Sequence, residues 1–235
     1  MIPTLWASWP LPGWAGLAAC LLAGSLLAAA LPVWAARLLQ SLAGPEAGLP
    51  DIAPLWPGAP TLRRRARLGW WGVSLGLAAC CGLWLGATWA ALAAVVFVLV
   101  LWTLAWVDAR TGLLPDGLTL PLLWLGLLVN LNDTFARLPD AVLGAVAGYG
   151  VLWLLAHGYA GLRGREGVGQ GDFKLLAALG AWLGWQAVPT VLLLASLGGL
   201  AMAAWLSWRR RLPADPALAF GPWLALAGAW VLVAG

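Results

Sequence analysis

Eight long apolar stretches, separated by short polar segments, constrain this chain more than any other feature of its sequence. They cover residues 14–36, 69–87, 89–107, 118–131, 140–160, 173–185, 188–208 and 218–234. Most approach the roughly 20 residues that a helix needs to cross the hydrocarbon core of a bilayer. Backbone groups in lipid must satisfy their own hydrogen bonds, which favours helices. The pattern therefore predicts an all-α polytopic membrane protein with about eight transmembrane helices.

The composition agrees with a bilayer as the main solvent. Only 9% of the residues are charged, whereas soluble domains carry about 25%. The chain also contains 19 Trp residues, and indole rings favour the membrane–water interface. The net charge of +4 comes from short basic clusters between apolar runs. This arrangement indicates contact with a lipid bilayer and argues against nucleic-acid binding.

The basic residues also predict an orientation in the membrane. If the N-terminus lies outside, the cytoplasmic segments are 37–68, 108–117, 161–174 and 209–217, and they hold every Lys and Arg except Arg137. Basic residues concentrate on the cytoplasmic side of membrane proteins. Short apolar stretches such as 173–185 can still cross where the bilayer thins locally. We therefore expect the N-terminus outside and eight crossings.

The segment 37–68 is rich in Pro and Gly, which disfavour a regular helix or a central strand. It predicts an irregular cytoplasmic linker that is too small to be an independent domain. We accordingly divide the chain into residues 1–68, the first membrane helix with this loop, and residues 69–235, a membrane-embedded core.

Two of the nine acidic residues occupy positions that suggest chemistry. Asp108 closes an apolar helix, where the negative end of the helix dipole disfavours a carboxylate. Asp172 follows Gly169 and Gly171, and glycines beside a carboxylate would leave room for the backbone of an extended peptide. The non-catalytic alternatives are a solvated loop acid for Asp108 and a helix N-cap for Asp172.

Under the predicted orientation, Asp108 and Asp172 lie on the same side of the membrane. Two carboxylates brought together share a proton. The ionised one can activate water while the protonated one polarises a peptide carbonyl. This chemistry needs no metal and no nucleophilic Ser or Cys.

The remaining polar candidates have structural interpretations. Asp116, Asp140 and Asp215 stand where an N-cap is expected, and Lys174 is expected to be an interfacial anchor beside Asp172. A structural zinc site needs about four Cys or His ligands. The chain has three Cys residues without a CxxC pair and one His, so no metal site is predicted.

Three segments resemble the type IV prepilin peptidases, a GxGD family of membrane aspartyl proteases. The run DARTGLLPD at 108–116, continuing to Asn130, is similar to the first aspartate motif of that family. The segment 164–184, with the GxGD signature at 169–172 and GDFKLLAALGAWLG from Gly171, resembles the second motif, and FGP at 220–222 resembles a C-terminal element. The resemblance covers about residues 100–235.

The resemblance implies a bacterial inner-membrane enzyme that uses Asp108 and Asp172 as its catalytic pair. Gly169, Gly171, Asp116 and Lys174 then belong to the motifs as supporting residues. The expected substrates are type IV prepilins or type II secretion pseudopilins, cut after a glycine that ends a short basic leader. Cleavage is expected at the cytoplasmic face of the membrane.

The first third of the chain departs from the family pattern. Many relatives carry two CxxC pairs in an enlarged cytoplasmic segment and also methylate the new pilin N-terminus, whereas the segment 37–68 contains no cysteine. Zinc is therefore not expected. S-adenosylmethionine would be required only if methyltransferase activity is retained. Two other functions stay open, a non-catalytic scaffold of a secretion or pilus system and an ion-coupled transporter.

Overall fold

Helices account for almost all of the chain that the structure describes. The computed structural model describes residues 13–42, 64–86, 88–163, 169–209 and 219–234. Within these ranges it contains eight α-helices, each overlapping one of the predicted apolar stretches. They are α1 (Gly13–Leu42), α2 (Arg64–Leu85), α3 (Trp89–Thr111), α4 (Asp116–Val129), α5 (Leu138–Arg163), α6 (Gln170–Leu183), α7 (Ala187–Trp208) and α8 (Gly221–Ala234).

The helices differ in whether they are long enough to span a membrane. In the described ranges, α1, α2, α3, α5 and α7 are long and apolar enough to do so. The helices α4, α6 and α8 have 14 residues each, or about 21 Å at a rise of 1.5 Å per residue. The predicted all-α polytopic membrane fold is confirmed. Crossing of the bilayer by the three short helices stays a prediction.

The chain forms two compact units, Met1–Thr103 and Leu104–Gly235. In the first unit, α1 packs against α2, and the Trp70 indole N–H donates a 3.1 Å hydrogen bond to the Ala28 carbonyl. The proposed division at residues 68 and 69 stays a prediction, because most of the segment 37–68 lies outside the described residues.

Helix α6 is the centre of the second unit. It packs against α4, α5, α7 and α8, and its residues from Asp172 to Trp182 are buried with the exception of Lys174. A Cβ on Gly144 of α5 would collide with the Gly180 carbonyl of α6, and a Cβ on Gly180 would collide with the Gly144 carbonyl. The backbones of α5 and α6 are therefore in direct contact.

Polar side chains hold the C-terminal end of α6 in place. The Asn130 amide donates to the carbonyl oxygens of Ala181 and Trp182, at 2.9 Å each. The Trp182 indole donates to the Leu122 carbonyl of α4 at 2.8 Å. Carbonyls at a helix C-terminus lack intrahelical partners, so these bonds both satisfy them and fix the position of α6 along α4.

The start of α5 corrects one expectation from the sequence. The helix begins at Leu138, so Asp140 lies in its first turn rather than before it, and Asp140 Oδ1 accepts a hydrogen bond from the Trp185 indole at 3.1 Å. The Leu138 N–H is instead bound by Asp133 Oδ1 at 2.9 Å. The expected cap at Asp215 lies outside the described residues.

Candidate active site

Asp108 is buried at the junction of two helix ends. Its side chain is 5% exposed, so the interpretation as a solvated loop acid is wrong. Its Oδ2 atom accepts a 2.9 Å hydrogen bond from the backbone N–H of Gly221, the first residue of α8. The N–H groups of a first helical turn lack intrahelical partners and attract anions. The start of α8 thus compensates the unfavourable C-terminal end of α3.

Asp172 is buried in the first turn of α6. Its side chain is 8% exposed, and the N-cap residue of the helix is Gly169, without a side-chain cap. The N-cap interpretation of Asp172 is therefore wrong. Its Oδ1 atom is buried and finds no hydrogen-bond partner among the described residues. Such an atom is costly if it carries charge, so Asp172 has the properties of a reactive group.

A turn at Gly112 ends α3 just after Asp108. Gly112 has a positive φ of 65°, which glycine adopts at little cost, and its N–H donates to the Asp108 carbonyl at 2.8 Å. This is the usual way to end an α-helix. The segment that follows brings Leu114 toward both α6 and α8.

Leu114 packs against the backbone on both sides of the site. A Cβ on Gly171 would lie 2.7 Å from Leu114 Cβ, and a Cβ on Gly221 would lie 3.2 Å from Leu114 Cδ1. Gly171 precedes Asp172, and Gly221 is bonded to Asp108, so a backbone segment next to each aspartate packs against the same leucine. The space at Gly171 was expected to admit a peptide, but Leu114 fills it. Gly169 is exposed, and a Cβ on it would lie 3.4 Å from Asp172 Oδ2 rather than against Leu114.

The electrostatics of Asp172 reflect this environment. Asp172 precedes the apolar stretch 173–185 and lies outside the five long helices. Burial, and secondly the charge of Asp108, raise the pKa of Asp172 to about 7, while a backbone hydrogen bond from Gly169 opposes the change. The pair therefore retains a proton near neutral pH, as an aspartyl dyad requires.

Asp116 and Lys174 form an exposed ion pair beside the site. Lys174 Nζ lies 2.7 Å from each carboxylate oxygen of Asp116. Asp116 was expected to be an N-cap, but that position belongs to Pro115, and α4 has no side-chain cap. The pair joins the first turn of α4 to α6, so Lys174 is bonded to α4 rather than to Asp172.

The His, Cys, Asp and Glu side chains also show whether the described residues could bind a metal ion. Within the described ranges, no group of three or more His, Cys, Asp or Glu side chains could hold a metal ion. The three cysteines are free thiols, of which Cys20 and Cys81 are packed in the core.

Two residues of the site were not predicted from their chemistry. Gly221 was noted only as part of the FGP resemblance, and Leu114 only as a letter in the first motif. A glycine followed by Pro222 before an apolar run is typical of a helix start. That signal could have identified Gly221 as a free N–H donor.

Comparison with known proteins finds similarity over the part of the chain that holds both aspartates. The family described as "Type IV leader peptidase family" matches residues 95–204. A protein of Dickeya chrysanthemi is 63% identical over 132 residues, which is 55% of this chain and 46% of that protein. A protein of Pectobacterium carotovorum subsp. carotovorum is 53% identical over 154 residues, 64% of this chain and 54% of that protein.

Both relatives are named "Prepilin leader peptidase/N-methyltransferase", and the chain spans about half the length of these curated relatives. No solved structure matches the chain. The matched family segment includes both Asp108 and Asp172. Residues 95–204 of this chain are therefore similar to the type IV leader peptidase family.

Proposed function

We propose that this protein is a membrane aspartyl endopeptidase that removes the short basic leader from type IV prepilins or type II secretion pseudopilins. The observation that carries the proposal is a pair of buried aspartates, Asp108 and Asp172, within a segment of the leader peptidase family. The names of the relatives supply the substrate class.

The positions of the two aspartates suit such a substrate. Asp108 lies near the C-terminal end of α3, and Asp172 lies in the first turn of α6. Both are at helix ends, which in a membrane protein lie toward the surface of the bilayer. A leader joined to a hydrophobic helix would present its cleavage point at that depth. We infer that this surface is the cytoplasmic face of the bacterial inner membrane. With the N-terminus outside, the segments that hold nearly all Lys and Arg face the cytoplasm, as is usual for membrane proteins.

The chemistry proceeds without a covalent intermediate. One carboxylate removes a proton from water, and the water oxygen attacks the carbonyl carbon of the peptide bond. The other carboxyl group donates its proton to the carbonyl oxygen. The enzyme needs no cofactor for this reaction. Relatives are also named as N-methyltransferases, and that second activity would use S-adenosylmethionine.

The proposal is tested by co-expressing the protein with a prepilin and reading the pilin N-terminus by mass spectrometry. The variants Asp108→Asn and Asp172→Asn keep the size of each side chain and remove its acid–base function. Each is expected to reduce cleavage by roughly 10²- to 10⁴-fold. The same spectrum reports whether a methyl group has been added.

A matched control is Asp133→Asn, in the exposed turn after α4. Asp133 has a φ of 51°, which asparagine also adopts, and an amide oxygen can accept the bond from Leu138. This variant should cleave as the wild type does. Undiminished cleavage by either dyad variant would contradict the assignment of the dyad.

The same protein and variants also test the two alternative functions, a non-catalytic scaffold and an ion-coupled transporter. A scaffold would process no prepilin and would instead be recovered with secretion components. A transporter would show uptake in proteoliposomes that depends on Asp108. Location of both aspartates at helix ends, rather than midway along them, favours the peptidase.

A further inference from the structure

We propose that the two aspartates have fixed and unequal roles, with Asp108 as the ionised base, Asp172 as the proton-bearing acid, and the Gly221 N–H as the group that positions Asp108. This inference rests on the proposed peptidase function, because it assigns the steps of that reaction to particular atoms.

The first argument is the hydrogen bond from Gly221. A backbone N–H can only donate, so it stabilises the ionised form of the carboxylate that accepts from it. The Gly221 N–H lies 2.9 Å from Asp108 Oδ2 and belongs to the first turn of α8, where the helix dipole adds to the effect. Oδ1 is then the atom of Asp108 that is available to take a proton from water.

The approach of Gly221 depends on its lack of a side chain. A Cβ at this position would lie 2.6 Å from Asp108 Oδ2 and 3.0 Å from Asp108 Cγ, closer than carbon normally approaches these atoms. Any other residue would therefore displace the carboxylate from the N–H. We assign Gly221 as a positioning residue of the site.

The second argument is the environment of Asp172. Its Oδ1 atom is buried and lacks a partner among the residues that the structure describes. An ionised carboxylate would leave that atom uncompensated, whereas a protonated carboxyl group is neutral. The first turn of α6 and a backbone hydrogen bond from Gly169 favour a charge on Asp172. Burial and the neighbouring charge of Asp108 outweigh both, so the pKa of Asp172 is raised to about 7.

The assigned roles give a balanced reaction. Asp108 Oδ1 takes a proton from water as the water oxygen bonds to the carbonyl carbon, and Asp172 gives its proton to the carbonyl oxygen. The product of this step is a neutral gem-diol. Asp108 then passes its proton to the amine nitrogen as the C–N bond breaks, and one gem-diol hydroxyl returns a proton to Asp172. Both aspartates end as they began.

Infrared spectroscopy of the protein in detergent tests the location of the proton. Isotope-labelled aspartate identifies the carbonyl band of a protonated aspartate, recorded about one pH unit below the pKa of Asp172. We expect the band in the wild type and in Asp108→Asn, and its loss in Asp172→Asn. The assignment is overturned if the band survives in Asp172→Asn, or if it is lost in Asp108→Asn.

A glycine variant tests the positioning role. Gly221→Ala should lower kcat by roughly 10- to 100-fold, the effect expected from the loss of a hydrogen bond to a charged group, with little change in KM. Gly221→Ala should also shift the infrared carboxyl bands of the labelled aspartates. A residue with only a structural role would leave these bands where they are in the wild type. The control is Gly150→Ala in α5, where an added Cβ meets nothing within 4 Å.

The outcomes separate this inference from the proposed function. Wild-type kcat and unchanged bands in Gly221→Ala would overturn the role of Gly221. Failure of the wild type to cleave any prepilin would overturn the proposed function, while the infrared bands would still report which aspartate holds the proton. If Gly221→Ala does not fold, the two asparagine variants decide the assignment of base and acid.

Discussion

At the scale of single residues, Asp108 lies between two helix ends that act on its charge in opposite directions. The C-terminal end of α3 disfavours a negative charge, and the first turn of α8 favours it. The Gly221 N–H adds a direct hydrogen bond to Oδ2. The first turn of α8 and the 2.9 Å bond from Gly221 act together. They stabilise the carboxylate at the end of a helix, a position that the sequence marks as unfavourable.

Burial of Asp172 predicts a pH-dependent cost in stability. The folded protein holds this proton until about pH 7, whereas a free aspartate releases it near 3.8. Folded protein therefore binds more protons between these values, and its stability falls as the pH rises from about 4 to about 7. The variant Asp172→Asn does not titrate. It should match the wild type near pH 4 and be more stable at pH 8, by the order of 2–4 kcal/mol.

Thermal unfolding of both proteins in one detergent, measured at several pH values, checks this prediction. The melting temperatures should diverge as the pH rises and then run parallel above about pH 7. A constant difference across the whole range would show that Asp172 carries no buried proton.

The ion pair between Asp116 and Lys174 is expected to contribute little. Its side chains are 54% and 27% exposed, respectively, and exposed pairs contribute about 0.2–1 kcal/mol. A double-mutant cycle with Asp116→Asn and Lys174→Met should give a coupling energy in this range that decreases as salt is added. A coupling energy of several kcal/mol would indicate that the pair is far less solvated than its exposure suggests.

At the scale of elements, both ends of α6 are joined to neighbouring segments of the same compact unit. The Asn130 amide binds carbonyls near its C-terminal end, and Lys174 near its start is paired with Asp116 of α4. The predicted stretch 173–185 located this helix but began three residues late. Apolar patterns do not mark a helix start that contains Gly171 and Asp172, since neither residue is apolar.

Close contact between α5 and α6 predicts a strong response to a single methyl group. Gly180→Ala places a Cβ against the Gly144 carbonyl, so the helices must separate. Such overpacking costs about 1–3 kcal/mol or more. The melting temperature in detergent should fall clearly, whereas Gly150→Ala, with open space around it, should be neutral or slightly stabilising. Equal melting temperatures for the two variants would contradict the contact.

At the scale of the whole molecule, the orientation predicted from Lys and Arg can be tested directly. The turn after α4 should face outside and the segment 37–68 should face the cytoplasm. Thr134→Cys and Ala47→Cys are introduced singly after the three native cysteines are replaced by alanine. An impermeant thiol reagent added to intact spheroplasts should label the first variant and not the second. Labelling in the reverse order would invert the orientation.

The length of the apolar stretches predicted the helices, because a bilayer requires long apolar helices and leaves few alternatives. The two aspartates were found from their unusual placement at helix ends. Gly221 and Leu114 were not, because their roles depend on contacts between residues far apart in the chain. The Gly221 bond to Asp108 joins positions separated by 113 residues, and no local pattern reports such a contact.

The position of Leu114 between Gly171 and Gly221 has a consequence for how such a site can change during evolution. The three residues come from three separate motifs, yet they share one small volume. A methyl group added at 171 would force Leu114 or the backbone to shift, since the two Cβ atoms would lie 2.7 Å apart. The motifs therefore cannot drift independently, and substitutions at these positions should appear as compensating sets among homologous proteins.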